Sequence, residues 1–195
     1  MRLFAAVDLA PPVRHAAAGA AQRLARAVAE PGARGGPRVS WVREGNLHLT
    51  VRFLGEIEGG RAQVLAARFA EPLAGGAFDI ELGGVGVFPP NGPSRVVWLG
   101  VTRGAERLVA LAAGVDERLV LWGFGREDRP FQPHLTIGRC REPLGRGARD
   151  RILGADVGAL GASRVDEVVL YESRLAAGGP TYVALARAPL SASGR

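Results

Sequence analysis

Apolar residues recur with two different periods along this chain, and the switches between them mark out its elements. Arg2–Asp8 (RLFAAVD) is an apolar run of strand length. Pro11 and Pro12 then open an Ala/Arg/Leu stretch, Val13–Ala29, that reads as a helix. Proline suits a first helical turn, where its missing N–H has no partner to lose. A cluster of breakers, Pro31, Gly32, Gly35, Gly36 and Pro37, stops it. Strands are predicted at Val39–Val42, Leu47–Leu54, Phe78–Phe88, Arg95–Val101, Pro133–Arg139, Val165–Ser173 and Tyr182–Ala188. Helices are predicted at Arg61–Glu71 and Ala105–Leu121, with a short one near Asp150 inside a Gly/Arg-rich loop.

This order contains a repeat. The first half runs strand, helix, then a strand holding His48-Leu49-Thr50-Val51. The second half runs strand, helix, then a strand holding His134-Leu135-Thr136-Ile137. Each motif is followed at a similar distance by another strand. The same tetrapeptide at the same place in a repeated β-α-β unit predicts two similar lobes facing each other.

Strand geometry sorts the motif residues. Side chains alternate between faces, so His48 and Thr50 share one face, and Leu47, Leu49, Val51 and Phe53 share the other, which reads as core. His134 and Thr136 likewise stand opposite Leu135 and Ile137. If the lobes face each other, two imidazoles and two hydroxyls converge. That set suits phosphoester chemistry: one neutral imidazole acts as base, one imidazolium as acid, and hydroxyls donate to the non-bridging oxygens. With no carboxylate in either motif it is a poor metal-ligand set. His15, the third histidine, lies on the first helix without a motif and reads as a solvated residue.

Composition adds less. The chain has 195 residues, enough for a sizeable core, and carries 25 Lys plus Arg against 19 Asp plus Glu, net +6. Every one of those basic residues is arginine. Guanidinium suits phosphate, although an Ala/Gly/Arg-rich proteome gives the same bias. The absence of lysine excludes Schiff-base and P-loop chemistry. Cys140 is the lone cysteine, so no disulfide framework is expected. Without a signal-length apolar segment or membrane span, a cytoplasmic protein is expected, with no membrane contact.

The paired motifs resemble the two H-x-T-x motifs of the two-histidine (2H) phosphoesterase superfamily. Arg2–Leu9, Trp41-Val42-Arg43, Arg52-Phe53-Leu54-Gly55, Gly86-Val87-Phe88-Pro89, Arg129–Arg139 and Val168–Ser173 narrow this. Together they are similar to the bacterial and archaeal RNA 2′,3′-cyclic phosphodiesterases, first described as 2′-5′ RNA ligases. The resemblance implies a bilobal, duplicated α+β fold with an antiparallel sheet and flanking helices in each lobe. It also implies one domain over residues 1–195, its pseudo-symmetric lobes intertwined, and an active-site cleft between them. The implied reaction opens a 2′,3′-cyclic phosphate on an RNA end to a 2′-phosphate, with no metal or nucleotide cofactor. His48 matches the proton donor and His134 the proton acceptor; the spacing alone does not say which is which. Thr50, Thr136 and Arg139 match phosphate-binding positions.

Strict alternation turns Arg139 away from His134 unless Gly138 carries a bulge or the strand ends there. Arg52 has the right parity but lies further along its strand. Phe131 is a candidate for stacking on the terminal base, with a core position as its alternative. Arg141, Arg146, Arg149 and Arg151, and Arg34, Arg38 and Arg43, are candidates for tracking an RNA backbone or simply solvated. A monomer is expected. Three other activities stay open: 2′-5′ ligation in the reverse direction, hydrolysis of a small cyclic nucleotide, and RNA-end binding without chemistry.

Overall fold

The computed structural model describes residues 1–29, 39–176 and 179–192. The breaker cluster after the first helix, with Arg34 and Arg38, lies outside them. The described chain forms ten strands and four α-helices. In chain order they are β1 (Arg2–Asp8), α1 (Pro11–Val28), β2 (Val39–Trp41), β3 (His48–Glu56), α2 (Gly59–Phe69), β4 (Leu73–Ala74) and β5 (Phe78–Phe88). Then follow β6 (Val96–Arg103), α3 (Ala105–Leu121), β7 (His134–Cys140), α4 (Arg146–Leu153), β8 (Ala162–Val165), β9 (Glu167–Ala176) and β10 (Gly179–Ser191).

The strands make two five-stranded sheets, ordered β3-β1-β9-β10-β4 and β2-β7-β6-β5-β8. All pairings are antiparallel except the two-residue β4–β10 pair. The architecture is α+β and two-lobed, as the sequence implied. The halves of the chain, however, are not the lobes. α1 follows a strand of the first sheet but packs on β2, β7 and α4 of the second. α3 follows a strand of the second sheet but packs on β3 and β4 of the first. β5 and β9 also sit in the lobe opposite the motif strand that precedes them.

Side-chain periodicity explains the helices. α1 buries Val13, Ala17, Ala20, Leu24 and Val28, a stripe spaced by three or four residues. α3 buries Leu108, Leu111, Val115 and Leu119 in the same way. Glu58 caps α2, its carboxylate accepting from the Gly60 and Arg61 N–H groups at 2.9 and 3.1 Å.

Two departures from the predicted elements have physical causes. The run predicted over Val165–Ser173 divides at Asp166, because Val165 pairs with Phe78 in one sheet while Val168 and Leu170 enter the core of the other. β4, only two residues long, exists through its pairing with Leu190 and Ser191.

Arg52 joins three parts of the structure. Its Nε donates to Asp116 of α3 at 2.9 Å, and its guanidinium also reaches Glu127 at 2.9 Å and the Gly125 carbonyl. This cation is thereby committed to holding the 122–133 segment, not to a phosphate. Both partners in the Arg52–Asp116 pair are nearly buried, at 13% and 12% side-chain exposure. Arg52→Ala should therefore cost about 3–5 kcal/mol, the range for stranding a buried charge. Denaturant unfolding of the variant measures it, and a change near zero contradicts this role.

Candidate active site

β3 and β7 run against each other where the two sheets meet, and each brings its histidine and threonine to the junction. His48, Thr50, His134, Thr136 and Arg139 line one cavity of about 510 Å³, with Arg2, Phe4, Asn46, Phe53 and Tyr182 around them. A second cavity, of about 460 Å³, opens from the same junction beside His134. Phe131, Arg126, Arg129 and Val109 line it, and His48 does not.

The two histidines are held alike. The Nδ1–H of His48 donates to the Asn46 carbonyl at 2.8 Å, and that of His134 to the Gln132 carbonyl at 2.7 Å. In each case the acceptor lies two residues earlier, so Nδ1 carries the hydrogen and Nε2 is the free lone pair. His48 Nε2 lies 3.0 Å from Thr50 Oγ1, whose hydroxyl is the donor in this tautomer.

A strand bulge decides what accompanies them. On β7, Thr136 pairs with Trp98 but Gly138, not Ile137, pairs with Val97. The extra residue reverses the parity beyond it, and Arg139 turns onto the face of His134 and Thr136. On β3, Thr50 pairs with Ala6 but Arg52, not Val51, pairs with Ala5. The bulge has the same place in both motifs. It turns Phe53 into the cleft at 53% exposure, correcting its expected core position, and sends Arg52 to α3. Phe53 thus stands five residues after His48, as Arg139 stands five after His134.

With this geometry in view, the comparisons are specific. A family model of the 2′-5′ RNA ligase superfamily matches residues 11–175. An RNA 2′,3′-cyclic phosphodiesterase of Methanothermobacter thermautotrophicus is 34% identical, over 93% of this chain and 95% of its own. The crystal structure of TT0787 of Thermus thermophilus superposes with a TM-score of 0.72 at 30% identity, covering 100% of both chains. That of Escherichia coli LigT complexed with 3′-AMP gives a TM-score of 0.66 at 28% identity, over 97% of this chain and 98% of that one.

The chain belongs to the 2′-5′ RNA ligase superfamily.

Within this superfamily member the two imidazoles differ in surroundings. Phe4 lies 4.9 Å from the His48 ring, and Tyr182 meets it edge-on at 5.1 Å. This burial pushes His48 down from 6.5 to about 4, opposed by the Asn46 hydrogen bond and by Asp8, and aided by Arg139. His134 packs edge-on to Phe88 at 4.9 Å. It is lowered too, chiefly by burial and further by Arg139. Both are therefore neutral in the empty cleft at pH 7. An anion bound among them raises both.

The other candidates divide. Phe131 is half-buried, packs on the core and lines only the second cavity. Arg146, Arg149 and Arg151 ride on α4, which packs on α1 and β5, and line neither cavity. Arg43 and Arg141 line neither cavity. His15 is exposed and approaches Glu44 at 3.3 Å. Arg2, Arg126, Arg129 and Phe53 also line the cavities, although none stands in an H-x-T-x tetrapeptide. For Phe53 a signal did exist, the equal spacing of Phe53 and Arg139 from their histidines.

Arg139 opposes imidazolium formation at both histidines. Arg139→Ala should raise both midpoints in an NMR titration and weaken inorganic phosphate binding by about 10- to 100-fold, the worth of a charge-assisted contact. Unmoved midpoints with unchanged phosphate affinity would contradict its place at the phosphate.

Proposed function

We propose that this chain is an RNA 2′,3′-cyclic phosphodiesterase that opens the terminal cyclic phosphate by hydrolysis to a 2′-phosphate, without a metal ion. One observation carries the reading: two histidines, each with Nδ1–H tied to a carbonyl, share a cleft with two threonines and Arg139. The names of the relatives support the substrate.

In the proposed step, His134 Nε2 takes a proton from water as the water oxygen bonds to phosphorus. The P–O3′ bond breaks, and His48 gives its Nε2 proton to the departing 3′ oxygen. Arg139 and the threonine hydroxyls bind the non-bridging oxygens, where negative charge builds. Thr50 couples to this. When Nε2 of His48 is protonated, Thr50 Oγ1 becomes its acceptor, and the hydroxyl hydrogen is released to point at the phosphate. The substrate's anionic phosphate supplies the field that returns His48 toward its protonated form.

A second reading, joining the cyclic phosphate to a 5′-hydroxyl end, is favoured by the cavity of about 460 Å³ on the His134 side. A nucleophile larger than water enters there, opposite the leaving oxygen. Product chromatography with and without a 5′-hydroxyl oligonucleotide separates the two.

His48→Ala and His134→Ala should each reduce turnover of a cyclic-phosphate oligonucleotide by about 10²- to 10⁴-fold. Near-normal activity in both contradicts the reading. The active form needs His48 protonated and His134 neutral, and both are lowered in the free protein. The kcat/KM profile should therefore be a bell with its maximum below pH 6.5, and the kcat profile should lie higher because bound phosphate raises both groups. A kcat/KM maximum above pH 7 contradicts the assignment.

A further inference from the structure

The quartet is nearly symmetric, yet the proposed reaction needs its two histidines to differ. The strand registers show where symmetry breaks. β1 beside β3 corresponds to β6 beside β7: Val7 and Leu99 face the motif leucines, and Ala6 and Trp98 face the threonines. Three positions differ in charge, and one of them, Arg52 corresponding to Gly138, is engaged by Asp116 and Glu127. Phe53 corresponds to Arg139. Asp8, directly across from His48, corresponds to Gly100, directly across from His134.

No side chain fits at Gly100, because a Cβ there would stand 2.8 Å from the Gly83 carbonyl oxygen. A carboxylate is thus possible on one side only. Directly opposed residues of an antiparallel pair lie on the same face, about 4.5–5.5 Å apart at Cβ. The Asp8 carboxylate is also fixed in place: the Tyr171 hydroxyl reaches its two oxygens at 2.8 and 3.0 Å, and the Tyr171 ring centroid lies 6.5 Å from that of His48.

We infer that Asp8 is a positioning residue: its carboxylate across from His48, with no counterpart across from His134, biases the first histidine toward the imidazolium that the proton donor needs. This rests on the acid–base reading of the cleft. Coulomb attraction favours an imidazolium beside a carboxylate and disfavours one beside a guanidinium. The groups around His48 are Asp8 of β1, Tyr171 of β9, Tyr182 of β10 and Arg139 of β7. Arg14 of α1 and Arg187 of β10 act on the Asp8–Tyr171 pair, and Glu167 engages Arg187. Asp8 is the one carboxylate with a direct effect on either cleft histidine among the described residues. Burial still dominates at His48, so the carboxylate and the bound phosphate together bring the proton there.

The test is an NMR titration of the imidazoles in the full chain, readily assigned because there are only three histidines. In Asp8→Asn the His48 midpoint should fall, leaving roughly threefold less imidazolium or lower at a given pH, while His134 stays within error. The kcat on the alkaline side of its profile should fall with KM little changed, and Asp8→Glu should restore most of it. Asp8→Ser removes the charge with a smaller polar side chain, and it should lower the His48 midpoint in the same way if Asp8→Asn does not fold. An unmoved His48 in folded Asp8→Asn, or equal shifts at both histidines, overturns the inference. If the wild type does not open cyclic phosphates, the functional reading fails, and the His48 titration still decides the role of Asp8.

Discussion

The bulge that follows each motif threonine is the constraint from which the site is built. A regular strand offers its partner lobe only every second side chain, so Arg139 would face the core beside Ile137. One extra residue at Ile137–Gly138 reverses that order, and a guanidinium joins the imidazole and hydroxyl without any change in the hydrophobic face behind them. The same extra residue at Val51–Arg52 has a different result, because the residues that follow differ. Phe53 enters the cleft and Arg52 leaves it to fasten α3 to the 122–133 segment. One backbone device, used twice, thus yields a cation on one wall and an aromatic ring on the other.

The crossing of the chain between lobes keeps those walls in place. Each motif strand sits at the junction, next to a central strand of its own sheet, while the helix between those two strands packs on the opposite lobe. Contacts tie the lobes at further points. The Ala10 N–H donates to the Ser163 hydroxyl at 2.8 Å, linking the β1–α1 turn to β8. A cleft so braced holds its imidazoles, hydroxyls and guanidinium in fixed positions, and preorganised donors are worth more than donors that must be gathered.

Much of this was legible in the sequence. Leu49, Val51, Leu135 and Ile137 announce a buried face, and with strand alternation they place His48, Thr50, His134 and Thr136 on the other. The repeat announces two lobes. What escaped depends on partners that a single strand does not reveal. A bulge is a property of two paired strands; Gly138 hints at one, whereas nothing in Val51-Arg52 does. The division of the Val165–Ser173 run between the two sheets falls at Asp166, and nothing local marks that residue as the crossing point. Arg126 and Arg129 line the second cavity from a segment held by Arg52, Asp116 and Glu127, a tertiary arrangement with no local signature.

In the proposed reaction His48, Thr50, His134, Thr136 and Arg139 act on one phosphate, with the 3′ oxygen leaving toward His48. The most direct measurement is product analysis after incubating the protein with an oligonucleotide ending in a 2′,3′-cyclic phosphate, in the presence of a strong chelator. The predicted result is undiminished turnover to a single 2′-phosphate end. A 3′-phosphate product, or turnover abolished by the chelator and restored by a divalent metal, would contradict it.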